Sequence, residues 1–313
     1  PVITGIQLLR PALNPGSGIP TVFAQPGGCF TMDAQTNNAG FYKGRLDEDN
    51  VSGRAALDWK PDNDTLLYLS FSRGFKSGSF PAISASDSAQ LEPVTQEQLD
   101  AYETGGKLTL FERDVQLNYA LFYYDYKDKQ LLNRTVDPVF GPLPILKNAP
   151  KSEVLGAELE LQYSPLAGLF LQASAAYLKT EVKEFVGIDE AGNERDFAGN
   201  AFNFTPKFSY ALLANYVFGV TETLDVTLGA DYNYKGKTNS VLGGDPLFEH
   251  DAYGVTNLRA GIGSNEGRWS LTAWGRNVFD EFYTVSIFDP GDAVSRYVGM
   301  TRTYGLSLSM KFD

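Results

Sequence analysis

Tyr304, Leu306, Leu308, Met310 and Phe312 alternate with Thr303, Gly305, Ser307, Ser309 and Lys311 at the end of the chain. A two-residue period is the signature of a β-strand with one apolar and one polar face. The same beat sets Val115, Leu117, Tyr119, Leu121 and Tyr123 against Gln116, Asn118 and Ala120, and Leu155, Ala157, Leu159, Leu161 and Tyr163 against Gly156, Glu158, Glu160 and Gln162. Eleven strands are predicted, over 51–59, 65–73, 100–110, 115–127, 152–163, 169–179, 206–218, 224–235, 253–263, 269–278 and 302–312. Most exceed the five or six residues usual for a globular strand and approach the nine to eleven that cross a bilayer when tilted.

Glu158 and Glu160 share a face opposite Leu159, so that face is either the wet exterior of a soluble sandwich or the lumen of a membrane barrel. The connections separate these readings. Short gaps at 60–64, 111–114, 164–168, 219–223 and 264–268 alternate with long ones at 74–99, 128–151, 180–205, 236–252 and 279–301. A sandwich spaces its turns evenly, whereas strict alternation is what an up-and-down barrel with two unlike mouths requires. The fold class expected is therefore all-β, an antiparallel up-and-down transmembrane β-barrel. Counting hairpins back from the last strand puts residues 1–50, rich in Pro and Gly and without a steady period, on the long-loop side. They read as the remainder of a long external loop, with barrel strands over 51–313. An open sheet in hydrocarbon would strand backbone polar groups at several kcal/mol each, so further strands are expected in the working molecule.

Composition narrows the function. No apolar run reaches the length of a membrane helix. A net charge of -12 without a basic cluster excludes nucleic acid as a partner. The acidic stretches at Asp189-Glu190, Glu194 to Asp196 and Asp289 to Asp292 read as solvated loop surface. The single cysteine, Cys29, is either a free thiol or half of a bridge to a segment outside this chain. The one histidine, His250, reads with Asp251 as an exposed loop pair, and no triad, metal spacing or phosphate loop surrounds it. The expectation is no enzyme and no cofactor.

Asn277-Val278-Phe279-Asp280-Glu281-Phe282-Tyr283, followed by the run from Tyr297 through Arg302 and Tyr304 to Gly305, resembles the C-terminal signature of TonB-dependent outer-membrane transporters. Val278 and Thr301 stand where that family has Leu and Pro. Leu67 to Gly78, Leu91 to Lys107 and Leu121 to Asp128 are similar to the family's successive ascents and descents. The resemblance implies the C-terminal half of a plugged barrel of about 22 strands, with the plug and N-terminal strands absent here. It implies energised uptake of a large scarce nutrient across the outer membrane of a Gram-negative bacterium, a ferric siderophore first. The partners implied are the missing strands and plug, TonB acting through the plug, and lipopolysaccharide. A passive porin-like channel and a soluble β-rich binding module are the alternatives.

Within that frame, Arg73, Lys76, Arg134, Phe140, Arg195, Phe202 and Arg296 are the expected ligand contacts, because Arg and aromatic side chains at loop tips grip chelates by charge and stacking. For Arg73 and Lys76 the competing reading is snorkelling toward lipid phosphates. Phe80, Phe185, Phe197, Phe248 and Phe288 are further loop aromatics, each better read singly as packing. Asn277, Phe279, Asp280, Tyr283, Arg302, Tyr304 and Phe312 are expected to be structural.

Overall fold

The computed structural model describes Thr31 and residues 42–83, 85–137, 141–289 and 293–312. Cys29, Phe140, Pro290 to Asp292 and, of the predicted 1–50 loop, all of residues 1–41 except Thr31 lie outside the described residues. Eleven strands form one antiparallel sheet in chain order: β1 (Gly53–Trp59), β2 (Thr65–Lys76), β3 (Glu97–Leu110), β4 (Val115–Asp137), β5 (Gly141–Leu166), β6 (Leu169–Glu184), β7 (Phe208–Gly219), β8 (Leu224–Lys235), β9 (Tyr253–Ser264), β10 (Trp269–Arg276) and β11 (Thr303–Met310). Each strand pairs with its sequence neighbour, the up-and-down order expected from the alternating gaps. Among the described residues β1 and β11 are the two edges.

The register sorts side chains into two faces. Leu121 stands opposite Thr104 and Ala157, and Tyr119 opposite Leu159. Leu69, Leu121, Leu155, Leu159, Leu212, Leu228 and Leu258 all stay exposed on this face; Leu159, far from any strand end, is 47% accessible. A sheet in water would cover such a band, so these residues face lipid. Asn118 and Glu160, directly paired, face the other way into the lumen. Phe71, Tyr102 and Tyr123 form a cross-strand row on the lipid face, with ring centroids 5.1 and 6.3 Å apart. On the same face, near the long-loop ends of β7 and β8, Tyr210, Tyr232 and Tyr234 form a second aromatic cluster, with Tyr210 stacked on Tyr234 at 4.9 Å. Together these form the aromatic girdle of the long-loop side.

The short turns are made as their residues suggest. The Asp64 N–H donates to the Asp62 carboxylate, closing the 60–64 turn. Gly168 adopts φ +81 and lies so close to the Val217 carbonyl that a Cβ would sit 1.9 Å from it, so only glycine fits.

The long connections differ from the sequence reading in one large respect. The gap expected at 128–151 is mostly strand: β4 runs on to Asp137, and β5 returns from Gly141. Pairing of β3 with β4 ends at Lys127, and β5 meets β6 only from Lys151 onward. The 128–150 hairpin is thus two-stranded, which gives Pro142, Pro144 and Pro150 an edge where no second ladder needs their missing N–H. Smaller hairpins, 186–196, 238–250 and 284–298, occupy three other long connections. These connections pack on one another. Leu131 and Ala149 from the extended hairpin, Val182 from the outer end of β6, Phe185 and Phe197 from the β6–β7 connection, and Leu242 from the β8–β9 connection form one buried cluster. Before β1, the Glu48 carboxylate accepts from the Gly78 and Gln96 backbone N–H groups, tying residues 42–50 to the β2–β3 loop.

Candidate functional site

From the long-loop side inward, the structure presents the loop layer first and the lumenal face of the sheet beneath it. In the lumen, polar side chains hold one another. The Glu160 carboxylate accepts from Asn118 Nδ2 at 3.3 Å, Gln162 Nε2 at 3.1 Å and Gln172 Nε2 at 3.2 Å. The Tyr68 hydroxyl donates to Glu103 at 2.8 Å. Asp231 accepts from Asn257 at 2.7 Å and Asn233 at 3.2 Å, with Arg259 3.7 Å away. A concavity of about 560 Å³ lies over Tyr68, Lys107, Asn118, Glu158 and Glu160. Carboxylates fixed by amides present a wet, acid-rich wall to whatever fills the lumen.

Nearer the loops the lining turns aromatic. Phe122 and Tyr124 stack at 4.7 Å, and Tyr126 meets Phe202 edge-on at 6.4 Å. The Lys129 amine sits 4.2 Å from the Tyr126 ring centre and 4.9 Å from that of Phe202, with Glu97 at 3.7 Å. Asp128, at φ 52, shifts the chain just before Lys129 and marks where β4 leaves the wall for its external extension. Across the sheet, Tyr253 and Tyr283 stack at 4.3 Å.

The expected ligand contacts are dispersed. Arg73 lies on the lipid-side face with Phe71, and its guanidinium makes two bonds, of 2.5 and 2.6 Å, to the Asp100 carboxylate. Lys76 ends β2 opposite Glu97 and is exposed. Arg134 is buried, paired with Glu190 and donating to the Pro142 carbonyl. Arg195 is exposed, donates to the Gly243 carbonyl and lies over the Phe197 ring at 5.5 Å. Phe202 is half-buried against the loop cluster. Arg296 is exposed and donates to the Leu247 carbonyl. Of the other loop aromatics, Phe185, Phe197 and Phe248 are buried, whereas Phe80 and Phe288 are exposed, Phe288 stacked on Tyr297.

The motif residues gather around Asn277. It is 2% exposed, has φ 48, donates from Nδ2 to the Glu281 and Met300 carbonyls, and accepts the Glu281 N–H at Oδ1. Asp280, also left-handed at φ 57, accepts the Arg302 N–H. Asx side chains bonding nearby backbone are what make this backbone region tolerable for a non-glycine residue. Tyr283 packs where a Cβ on Gly299 would collide with its ring. Phe279, Tyr304 and Phe312 are exposed, and Arg302 lies over the Tyr304 ring at 5.9 Å.

His250 corrects the sequence reading. It is not exposed: only 4% remains accessible. Nε2 meets Ser240 Oγ at 2.6 Å, Nδ1 meets Thr284 Oγ1 at 3.0 Å, and Phe204 covers the ring. Burial lowers its pKa, outweighing the Thr284 carbonyl that favours the charged form. Ser240 Oγ also accepts the Ile287 N–H at 3.1 Å, so the Ser–His pair is enclosed and joins two hairpins. Lys129, Tyr124 and Tyr126 were also missed as lining residues; the only local signal was the aromatic run Phe122 to Tyr126. Among the described residues, no group of three His, Cys, Asp or Glu side chains is placed to hold a metal ion.

Residues 30–278 match the family described as "TonB dependent receptor-like, beta-barrel". The chain is similar to the ferrioxamine receptor of Yersinia enterocolitica, 28% identical over 195 residues that cover 61% of this chain and 23% of that protein. Its fold is similar to the ferric yersiniabactin uptake receptor FyuA of Yersinia pestis, at TM-score 0.68 and 22% identity, covering 85% of this chain and 38% of that one. It is also similar to the copper transporter OprC, at TM-score 0.63 and 17% identity, covering 83% and 39%. The chain therefore spans between about a quarter and two fifths of the length of these relatives.

Proposed function

This chain belongs to the TonB-dependent receptor-like β-barrel family, and from that premise we propose that it is part of an outer-membrane receptor for active uptake of a ferric siderophore, energised through TonB. The single observation that carries the reading is the family match over 249 residues, 30–278. The wall supports it physically, with exposed leucines outward and amide-held carboxylates inward. The two edges of the sheet, unpaired among the described residues, would each cost several kcal/mol per backbone group in lipid. On this reading they join the remaining strands of a plugged barrel, and the plug transmits TonB's work.

The protein is read as a transport receptor, not an enzyme. Lys76, Arg195 and Arg296, exposed on the long-loop side, are the cations proposed to meet an anionic chelate, together with Phe202 and Phe140. Arg73 and Arg134 enter the same proposal less directly, because each already satisfies a carboxylate. A hydroxamate is the first ligand to try, following the ferrioxamine receptor's similarity. The test is uptake of radiolabelled ferric hydroxamate by iron-limited cells carrying or lacking the full-length gene, with and without TonB. Uptake requiring both is expected. Uptake that persists without TonB, or a steady conductance of the purified protein in planar bilayers, would refute energised transport in favour of a passive channel.

A further inference from the structure

The lumenal face carries opposite charges on its two sides. Along the paired part of β4–β6, the charged side chains turned to the lumen near the middle of the wall are Glu158 and Glu160. On β9–β11 they are Arg259 and Arg276. Arg259 and Trp274 are direct cross-strand partners. Arg276 lies two residues nearer the loops than Trp274 on the same face, its guanidinium 5.2 Å from the indole ring.

The two partners lie flat against the wall and lean apart. Arg259 crosses β8, where a Cβ on Gly229 would collide with its guanidinium stem, and donates to Asn215 Oδ1 at 3.2 Å, with Asp231 3.7 Å away. Trp274 crosses the other way onto β11, where a Cβ on Gly305 would strike its ring, and its Nε1–H donates to Ser307 Oγ at 3.1 Å. Glycine on both flanks thus lets a guanidinium and an indole rest on the wall instead of filling the bore. Asp231 is the carboxylate paired with Arg259, and it also accepts from Asn233 and Asn257. Arg276 is exposed and has neither an ion pair nor a hydrogen bond among the described residues.

A guanidinium grips an oxyanion through paired N–H donors, and an indole stacks on a flat ring. An anion moving inward is repelled by Glu158 and Glu160 and drawn to the β9–β10 side. We propose that Arg276, Trp274 and Arg259 form a lumenal binding step for an anionic aromatic chelate, which leaves the loop layer onto Arg276 and passes to Trp274 and Arg259. The step deepens the uptake reading and rests on it for its ligand.

In cells carrying the full-length receptor and TonB, uptake is measured for two ferric complexes, a trianionic tris-catecholate and a neutral trihydroxamate. R259Q/R276Q should lower the maximal rate for the tris-catecholate about ten-fold, the loss expected for one charge-assisted hydrogen bond. Its half-saturating concentration, and uptake of the trihydroxamate, should stay as in wild type. R259K/R276K should restore most of the rate. An unchanged rate in R259Q/R276Q overturns the proposal, as does an equal fall for both complexes, which would assign the arginines to seating the plug. Heat-modifiable gel migration reports that each variant is folded.

A second measurement needs no uptake. Purified full-length receptor is titrated with naphthalene sulfonate and with uncharged naphthalene methanol, following the tryptophan quenching that W274F removes. Wild type should bind the sulfonate more tightly than the alcohol, and R259Q/R276Q should lose that preference. Equal binding of the two by wild type, or quenching that W274F leaves unchanged, overturns the step. Wild-type cells that take up neither ferric complex would refute the transport reading, and the quenching would still decide the site.

Discussion

The strand wall and the loop layer above it obey opposite rules for the same residue types. In the wall, Leu159 and Leu155 are about half exposed, and the sheet, one residue thick, buries little of its own apolar surface. In the loop layer, Phe197 is 1% exposed and joins Leu131, Phe185 and Leu242, drawn from three separate connections, in a cluster like the core of a water-soluble domain. The difference lies in the solvent. Lipid accepts the wall's leucines, so backbone pairing holds the wall; water rejects the loops' phenylalanines, so the hydrophobic effect holds the loops. The external connections are thereby a folded structure standing on the barrel, and any ligand meets a shaped surface.

The largest expected effect tests whether the two regions are separable. Phe197→Ala should cost the loop layer about 3–5 kcal/mol, the range for emptying a buried phenylalanine site. Hydrogen exchange should rise across the 186–196 and 238–250 hairpins, while heat-modifiable gel migration of the barrel stays as in wild type. Simultaneous loss of both would show one cooperative unit. From the other side, Leu159→Arg should cost about 2–4 kcal/mol in barrel stability and reduce assembly, because it puts a cation against acyl chains. Gln172→Lys, on the lumenal face beside Glu160, should fold normally. Equal damage from the two would mean that the faces are reversed.

What could be read in the sequence follows the same division. The wall's period of two is local, so Val115 to Tyr123 and Leu155 to Tyr163 display their faces without reference to any partner. The eleven strands were legible for that reason, to within about three residues at most of their ends. The outer part of the β4–β5 hairpin was not, because Pro142, Pro144 and Pro150 interrupt the pattern. A proline is compatible with a strand only if that stretch lacks a second neighbour, and the sequence does not state where β6 stops pairing. The loop core was illegible for a related reason. Phe185 and Leu242 meet only through tertiary folding, and a loop phenylalanine that packs has the same local surroundings as one that binds. Among the residues expected to contact ligand, the sequence could not show that Arg134 would be enclosed with Glu190, 56 positions away.

Asn277 sits where the two regions join, and a change there should have an intermediate effect. Asn277→Ala removes bonds to the Glu281 and Met300 carbonyls and to the Glu281 N–H, and it leaves a left-handed backbone without its side-chain support. A loss of about 1–3 kcal/mol is expected, the cost of leaving buried polar groups unpaired. It should appear as faster proteolysis between Phe279 and Met300. Asn277→Gly, which relieves the backbone but not the hydrogen bonds, should recover only part. Full recovery would assign the residue's role to conformation alone.

The smallest effect is a pH dependence confined to the loop layer. In the tautomer in which the Ser240 hydroxyl, itself accepting the Ile287 N–H, donates to His250 Nε2, the ring's own proton lies on Nδ1 facing Thr284. That arrangement requires a neutral imidazole. Burial lowers the pKa of His250 from 6.5, and Lys235 adds to the shift; Glu249 and Asp251 are exposed and occupied by Lys237. Below about 6.5 the unfolded loops take up a proton that the folded ones do not, so stability is greatest above that value and declines as pH falls toward the lowered folded pKa. Hydrogen exchange in the 238–250 and 284–298 hairpins should therefore quicken on acidification, with the wall unaffected. His250→Gln should flatten this dependence, whereas a pH response persisting in the variant would place the titrating group elsewhere, among the loop carboxylates.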